Sequence, residues 1–247
     1  MKRKKNPYKH LRTAALILTA LITGYFAVRL AVLPRLEQDK TREQQTALLE
    51  SIRQGNGVLA IDPAEDANVD FYDDGPDAPA EETALFAPLL ELPVAPEDSD
   101  AGPAVESGEP VDPGIWGGIG ILTYERLDME LPVGEGVSSA QLKISVGHVP
   151  QTAVIGDTGN AVIAGHRSYT HGEHFNRLGE AEIGDIIQYV SIDGERMAFV
   201  VDEILEIVPG DQAAFDQPTD KAQITLYTCT PIRTATHRLL VRATRIL

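Results

Sequence analysis

The uneven distribution of charge is the sequence feature that most constrains how this chain can fold. Residues 54–124 contain no lysine or arginine, whereas residues 62–112 contain sixteen aspartates and glutamates. Without these sixteen, 21 acidic residues would balance the 21 lysines and arginines, so this segment accounts for the whole formal net charge of −16. Residues 61–113 also hold nine of the sixteen prolines, and such a polar mixture cannot fold by itself. They are predicted to form an acidic, Pro-rich linker.

The charge distribution also argues against one class of partner. Once the linker is set aside, the rest of the chain carries equal numbers of acidic and basic residues, so no basic face is left over. Nucleic-acid binding therefore lacks its usual electrostatic basis.

The N-terminus predicts membrane anchoring. Residues 1–12 carry six lysines or arginines and are expected to stay in the cytoplasm, and residues 13–28 follow without a charge. Continuing to residue 33 gives a segment long enough to cross a bilayer, with Arg29 at the far interface. A cleaved signal peptide is the alternative, but no convincing cleavage site follows. We predict a single-pass anchor over 13–33, a juxtamembrane helix over 34–60 and a folded domain outside the cell.

Residues 114–247 predict a single all-β domain. Short strand-like segments are separated by Gly, Pro, Asn and Asp, which favours a barrel or sandwich with small helical inserts at 138–146 and 174–178. The predicted strands are 119–122, 129–133, 161–165, 186–191, 196–207, 224–227 and 238–244.

Three residues in this domain suggest nucleophilic catalysis. Cys229, the only cysteine, follows a strand-like segment, and a hairpin joining 224–229 to 238–244 would bring Arg238 beside it. His166 ends another predicted strand, so it can reach the thiol despite the distance in sequence. An imidazolium favours the thiolate, and a guanidinium can stabilise the oxyanion that forms when the thiolate attacks a carbonyl. Each residue alone is equally consistent with a structural role.

The motifs together resemble those of the sortases, the cysteine transpeptidases of Gram-positive bacteria. AVIAGHRS (161–168), LGEAEIGD (178–185), ITLYTCTP (224–231) and THRLLVRA (236–243) occur in the family's order. The resemblance implies an eight-stranded β-barrel that cleaves an LPxTG-like sorting signal and passes the protein, held as a thioester, to an amine. It implies that Cys229 is the nucleophile, His166 the general acid and base, and Arg238 the oxyanion group. Thr228 and Arg167 are further candidates for substrate binding.

The resemblance implies partners but leaves the subclass open. The partners would be surface or pilin proteins with the sorting signal, and a pilin lysine or a cell-wall peptide as the amine. The sequence is most similar to class C, pilin-polymerising sortases. However, Asp112-Pro113 is followed by Gly114 where class C enzymes carry an aromatic lid residue, and no second apolar helix follows the domain. A class D-like enzyme is the alternative.

Two other functions and two roles for the linker are also considered. The same three residues would serve an exported cysteine hydrolase that uses water as acceptor, and a catalytically silent binding domain would tolerate loss of Cys229. No cofactor is expected, and the histidines at 148, 171, 174 and 237 make no convincing metal site. The linker would act as a spacer or, through residues 84–96, as a lid, because Leu92-Pro93-Val94 resembles the start of a sorting signal.

Overall fold

The fold was analysed in a computed structural model, which describes residues 9–60, 115–167, 174–232 and 234–247. The chain divides into two units, Met1–Gln44 and Gln45–Leu247. The first unit is helical where it is described: α1 spans Lys9–Ala27, a π-helix spans Val28–Val32, and α2 begins at Leu33 and ends at Arg53 in the second unit. Within the described part of the chain, no helix meets the combined length and hydropathy needed to span a bilayer.

The second unit contains the predicted β-barrel. Eight strands pair in the order β2-β3-β4-β5-β8-β9-β7-β6, and β6 pairs with β2 to close the barrel. The pairs β3–β4 and β5–β8 are parallel, and the others are antiparallel. The strands are β2 (Ile115–Tyr124), β3 (Met129–Glu135), β4 (Val146–His148), β5 (Gly159–Ala164), β6 (Ile186–Ser191), β7 (Arg196–Ile207), β8 (Ala222–Thr230) and β9 (His237–Arg245).

Short helices connect the strands. Helix α3 spans Ser139–Ile144, and its N-terminus is fixed by a capping box in which Ser138 and Gln141 each bind the other's backbone N–H. Three 3₁₀ helices span Glu125–Leu127, Asn176–Glu180 and Gln212–Phe215. The insert predicted at 138–146 therefore contains α3, and the one predicted at 174–178 overlaps the start of the 3₁₀ helix Asn176–Glu180.

Both faces of β5 and β8 are buried, which explains why these strands are almost continuously apolar in sequence. Alternate residues, such as Ile163 and Leu226, join the large cluster inside the barrel. The intervening residues, such as Ala164 and Tyr227, join a second cluster on the outer face with Leu142 of α3. Because the two clusters enclose β5 and β8, the ends of these strands have fixed positions.

The acidic segment begins and ends at the same edge of the sheet. Strand β1 (Val58–Ala60) pairs antiparallel with the start of β2, so that Ala60 lies opposite Ile115. Cα atoms of paired antiparallel residues are only about 5 Å apart. The spacer interpretation of this segment remains a prediction. The proposed lid at 84–96, like the whole of 61–114, lies outside the described residues.

Candidate active site

Cys229 and Arg238 form a cross-strand pair. They lie directly opposite each other in the β8–β9 ladder, which confirms the predicted hairpin. Opposed residues point to the same side of a sheet, and Tyr227, two residues before Cys229, belongs to the outer cluster. Both side chains therefore lie on the outer face of the barrel. The thiol is largely enclosed, because Cys229 is only 6% exposed.

Arg238 is held in place by the loop between β8 and β9. Its Nη1 donates hydrogen bonds to the carbonyls of Ala235 (2.8 Å) and His237 (2.9 Å), and the residue is 1% exposed. Its Nε is buried and has no hydrogen-bond partner among the described residues. Burial raises the pKa of the Tyr227 phenol, and the nearby charge of Arg238 partly offsets this rise. The guanidinium is thus held by the loop carbonyls and by a side-chain hydrogen bond with Tyr227, and its Nε is left without a partner in the described part of the chain.

His166 approaches the pair from the parallel strand β5. Ala164 lies in register with Tyr227, so His166, two residues later, comes level with Cys229. The segment after β5 stays paired with β8 up to that point. Gly165 donates its N–H to the Tyr227 carbonyl (3.1 Å), and Thr228 donates its hydroxyl to the Gly165 carbonyl (2.8 Å). A Cβ at Gly165 would lie 2.7 Å from the Phe175 ring, so only glycine fits this junction.

The other two candidate residues contact the backbone of this junction. Thr228 is fully buried, and its side chain faces away from that of Cys229 because neighbouring strand residues alternate. Arg167 is half-buried and donates from Nη1 to the Cys229 carbonyl, at 3.4 Å. A substrate-binding role for Thr228 and Arg167 remains a prediction.

The burial of His174 beside His166 is not evident from the sequence. The two rings are nearly perpendicular, with centroids 6.3 Å apart, and His174 is 8% exposed. Burial, and secondarily the charge of His166, lowers the pKa of His174 from 6.5 to about 4, so its imidazole is neutral near pH 7. Its neighbour Phe175 donates its N–H to the His166 carbonyl (3.0 Å). Within the described ranges, no cluster of His, Cys, Asp and Glu could hold a metal ion.

Replacing His174 with asparagine is expected to weaken the acid sensitivity of folding. Asparagine suits this left-handed backbone (φ 44°). Because the pKa of His174 is lower in the folded state, the unfolded chain binds more protons between about pH 6.5 and pH 4. The free energy of unfolding should therefore decrease by up to about 3 kcal/mol as the pH is lowered from 6.5 to 4. The asparagine variant should lack this part of the pH dependence. Thermal unfolding of both proteins at several pH values measures it, and parallel profiles would contradict the prediction.

Comparison with known proteins identifies the family. Residues 122–246 match the family model described as Sortase domain.

The chain belongs to the sortase family.

Individual relatives agree with this assignment. Sortase SrtE1 of Streptomyces coelicolor is 30% identical over 139 residues, which cover 50% of this chain and 39% of that protein. Sortase C1 of Streptococcus agalactiae is 29% identical with a TM-score of 0.51, covering 57% of this chain and 72% of that structure. A lid mutant of sortase A from Corynebacterium diphtheriae is 27% identical with a TM-score of 0.52, covering 69% of this chain and 96% of that structure. The chain spans 39% to 54% of the curated relatives it matches.

The resemblance inferred from the sequence motifs is thereby confirmed at the level of the family. The matched residues include β3 to β9 and the last three residues of β2, and therefore all of the strands that carry Cys229, Arg238 and the approach to His166. The closed eight-stranded barrel agrees with the fold that this resemblance implied.

Proposed function

We propose that the chain is a cysteine transpeptidase with Cys229, His166 and Arg238 as its catalytic residues. One observation carries the proposal: the β8–β9 register sets Cys229 opposite Arg238, and the parallel register of β5 with β8 brings His166 level with the thiol. The arrangement supplies a nucleophile, a proton carrier and an oxyanion donor, which acyl transfer requires.

In the first half of the reaction the enzyme would be acylated. The Cys229 thiolate attacks the carbonyl carbon of the scissile peptide bond, and the carbonyl oxygen becomes an oxyanion that receives hydrogen bonds from the Arg238 guanidinium. The C–N bond then breaks, and the departing amine takes a proton from the His166 imidazolium. The products of this half are a thioester on Cys229, a free amine and neutral His166.

In the second half an incoming amine would accept the acyl group. Neutral His166 removes a proton as the amine nitrogen attacks the thioester carbonyl, and Arg238 again stabilises the oxyanion. Collapse of this intermediate expels the Cys229 thiolate and restores the imidazolium. Water in place of the amine would give hydrolysis, which is the alternative function.

The proposed donor is a surface or pilin protein with an LPxTG-like signal that is cleaved between Thr and Gly. The proposed acceptor is a pilin lysine or a cell-wall peptide, which would place the enzyme in pilus assembly or in protein attachment to the wall. The sequence motifs quoted above support this donor class. A class C-like or a class D-like enzyme fits them.

We also propose that residues 13–33 anchor the chain in the cell membrane, with residues 1–12 in the cytoplasm and the catalytic domain outside. The support is the basic N-terminus followed by sixteen uncharged residues. Large apolar side chains on α1, including Leu16, Ile17 and Leu21, are exposed on this unit. Sedimentation with membranes after washing in alkaline carbonate tests the anchor, and release into the supernatant would contradict it.

The test of the function is product analysis by mass spectrometry. The intact chain is incubated with a panel of sorting-signal peptides, with and without an added amine. We expect a thioester on Cys229 and a ligated product when the amine is present. Hydrolysed peptide alone, even at high amine concentration, would favour the hydrolase. If no peptide in the panel forms a thioester, the proposed function is wrong.

A further inference from the structure

Arg167 occupies a defined position at the end of the barrel, next to His166. Its Nη1 donates to the main-chain carbonyl of Cys229 at 3.4 Å. Its Nη2 lies directly against Gly179 in the 3₁₀ helix Asn176–Glu180, where a Cβ on that glycine would be. The Arg167 guanidinium therefore contacts both the Cys229 backbone and this short helix, while its own backbone follows directly after His166.

The charge of Arg167 is coupled to the state of Cys229. Burial lowers the pKa of Arg167, whereas the negative charges of Glu206 and of the Cys229 thiolate raise it. This interaction is mutual, because a thiolate that stabilises the guanidinium is itself stabilised by it. Glu206 lies on β7 one residue before Ile207, which pairs with Arg238, and so it is at the same end of the barrel.

We infer that Arg167 is a positioning residue. Its guanidinium, held between the Cys229 carbonyl and Gly179, fixes the Cys229 main chain and favours the Cys229 thiolate. This inference rests on the proposed function, in which Cys229 is the nucleophile. It assigns Arg167 a role different from the predicted substrate binding, since its observed contact is with the nucleophile's own backbone. Among the described residues, the charged or titratable groups at this end of the barrel include Arg238 across the ladder, His166 after β5, Tyr227 on β8 and Glu206 on β7.

Gly179 offers a way to disturb Arg167 without altering its chemistry. The backbone φ of Gly179 lies outside the left-handed region, so alanine causes no backbone strain there. The added methyl group would occupy the space of Nη2 and displace the guanidinium. Gly179→Ala should therefore reproduce part of the effect of removing Arg167, but only when Arg167 is present.

The rate of Cys229 alkylation by iodoacetamide in the intact chain tests the inference, since it reports the thiolate without any peptide substrate. At pH 7, Arg167→Met is expected to slow alkylation about 3- to 10-fold, and Arg167→Lys is expected to restore part of the rate. Near pH 10, where a thiol of ordinary pKa (about 8.5) is ionised, the rates should converge. Gly179→Ala should slow alkylation in the wild-type background and have no effect in the Arg167→Met background.

Arg177→Met is the matched control, because Arg177 lies in the same 3₁₀ helix but bonds Glu180 and the Leu127 carbonyl. It should leave the alkylation rate unchanged. Equal rates for Arg167→Met and wild type at pH 7, or additive effects of the two substitutions, would overturn the inference. If Arg167→Met does not fold, as judged by thermal unfolding, the Gly179→Ala comparison with wild type still decides. Slower alkylation in a chain that never forms a peptide thioester would instead refute the proposed function alone.

Discussion

Replacing Cys229 with alanine is expected to reduce peptide transfer by at least about 1,000-fold while the barrel remains folded. No second cysteine exists in the chain to take over the nucleophilic role. Removing the nucleophile from a catalytic group that acts as a unit typically costs several orders of magnitude in rate. The stability cost should be modest, about 1 kcal/mol, because only one sulfur atom is lost from the outer face.

Steady-state ligation of a sorting-signal peptide to an amine measures this effect, and thermal unfolding is the control for folding. Cys229→Ser serves as a second variant, because it keeps a hydroxyl in place of the thiol and should be nearly as inactive. A Cys229→Ala protein that retained more than about one per cent of the wild-type rate would exclude the thioester route. If the wild type and Cys229→Ala were equally slow, the result would favour a catalytically silent binding domain.

Replacing Arg238 with methionine should have the next largest effect, a reduction of about 100- to 1,000-fold in kcat/KM. Loss of one preorganised donor to an oxyanion costs about this much in other acyl-transfer sites. Methionine preserves much of the buried volume, so the loss reflects the missing donors and charge. Two loop carbonyls, those of Ala235 and His237, would lose their donor, which should lower the free energy of unfolding by about 1–3 kcal/mol.

Arg238→Lys separates the contributions of charge and geometry. The guanidinium is 1% exposed, uses Nη1 for two loop carbonyls and has Nε without a partner among the described residues. A single ammonium cannot hold both carbonyls and also reach a developing oxyanion with the same geometry. We therefore expect lysine to restore less than a tenth of the lost activity. Separate measurement of kcat and KM decides, and full activity of Arg238→Lys would show that charge alone is sufficient.

The sequence predicted most of the barrel because most strands have strong local signals. Strands β6 and β7 have the predicted bounds, since each is a long run of strand-forming residues and Asp193-Gly194 makes the turn between them. Strands β1 and β4 were missed because each has only three residues and depends on pairing with distant strands. Strand β2 also starts earlier than predicted, at Ile115, where it pairs with β1.

The candidate site residues were predictable for a related reason. Cys229 and Arg238 are brought together by one hairpin, so their pairing follows from local sequence, and the motif order supplied His166. The burial of His174 and the contact of Arg167 with the Cys229 carbonyl depend on how the connection after β5 packs on the barrel. No periodicity or spacing in the sequence carries that information, because these contacts are tertiary.

The pairing of β1 with β2 has a consequence for proteolysis. The acidic segment is long, polar and rich in proline, and segments of that kind are common sites of cleavage. A single cut within it would leave α2 and β1 on one fragment and the barrel on the other. The fragments would remain joined without a covalent bond, because Leu48 and Ile52 of α2 pack with Ile121 and Ile144 of the barrel unit and the β1–β2 ladder persists. Nicking at this position would therefore leave the Leu48 and Ile52 part of α2 attached to the barrel.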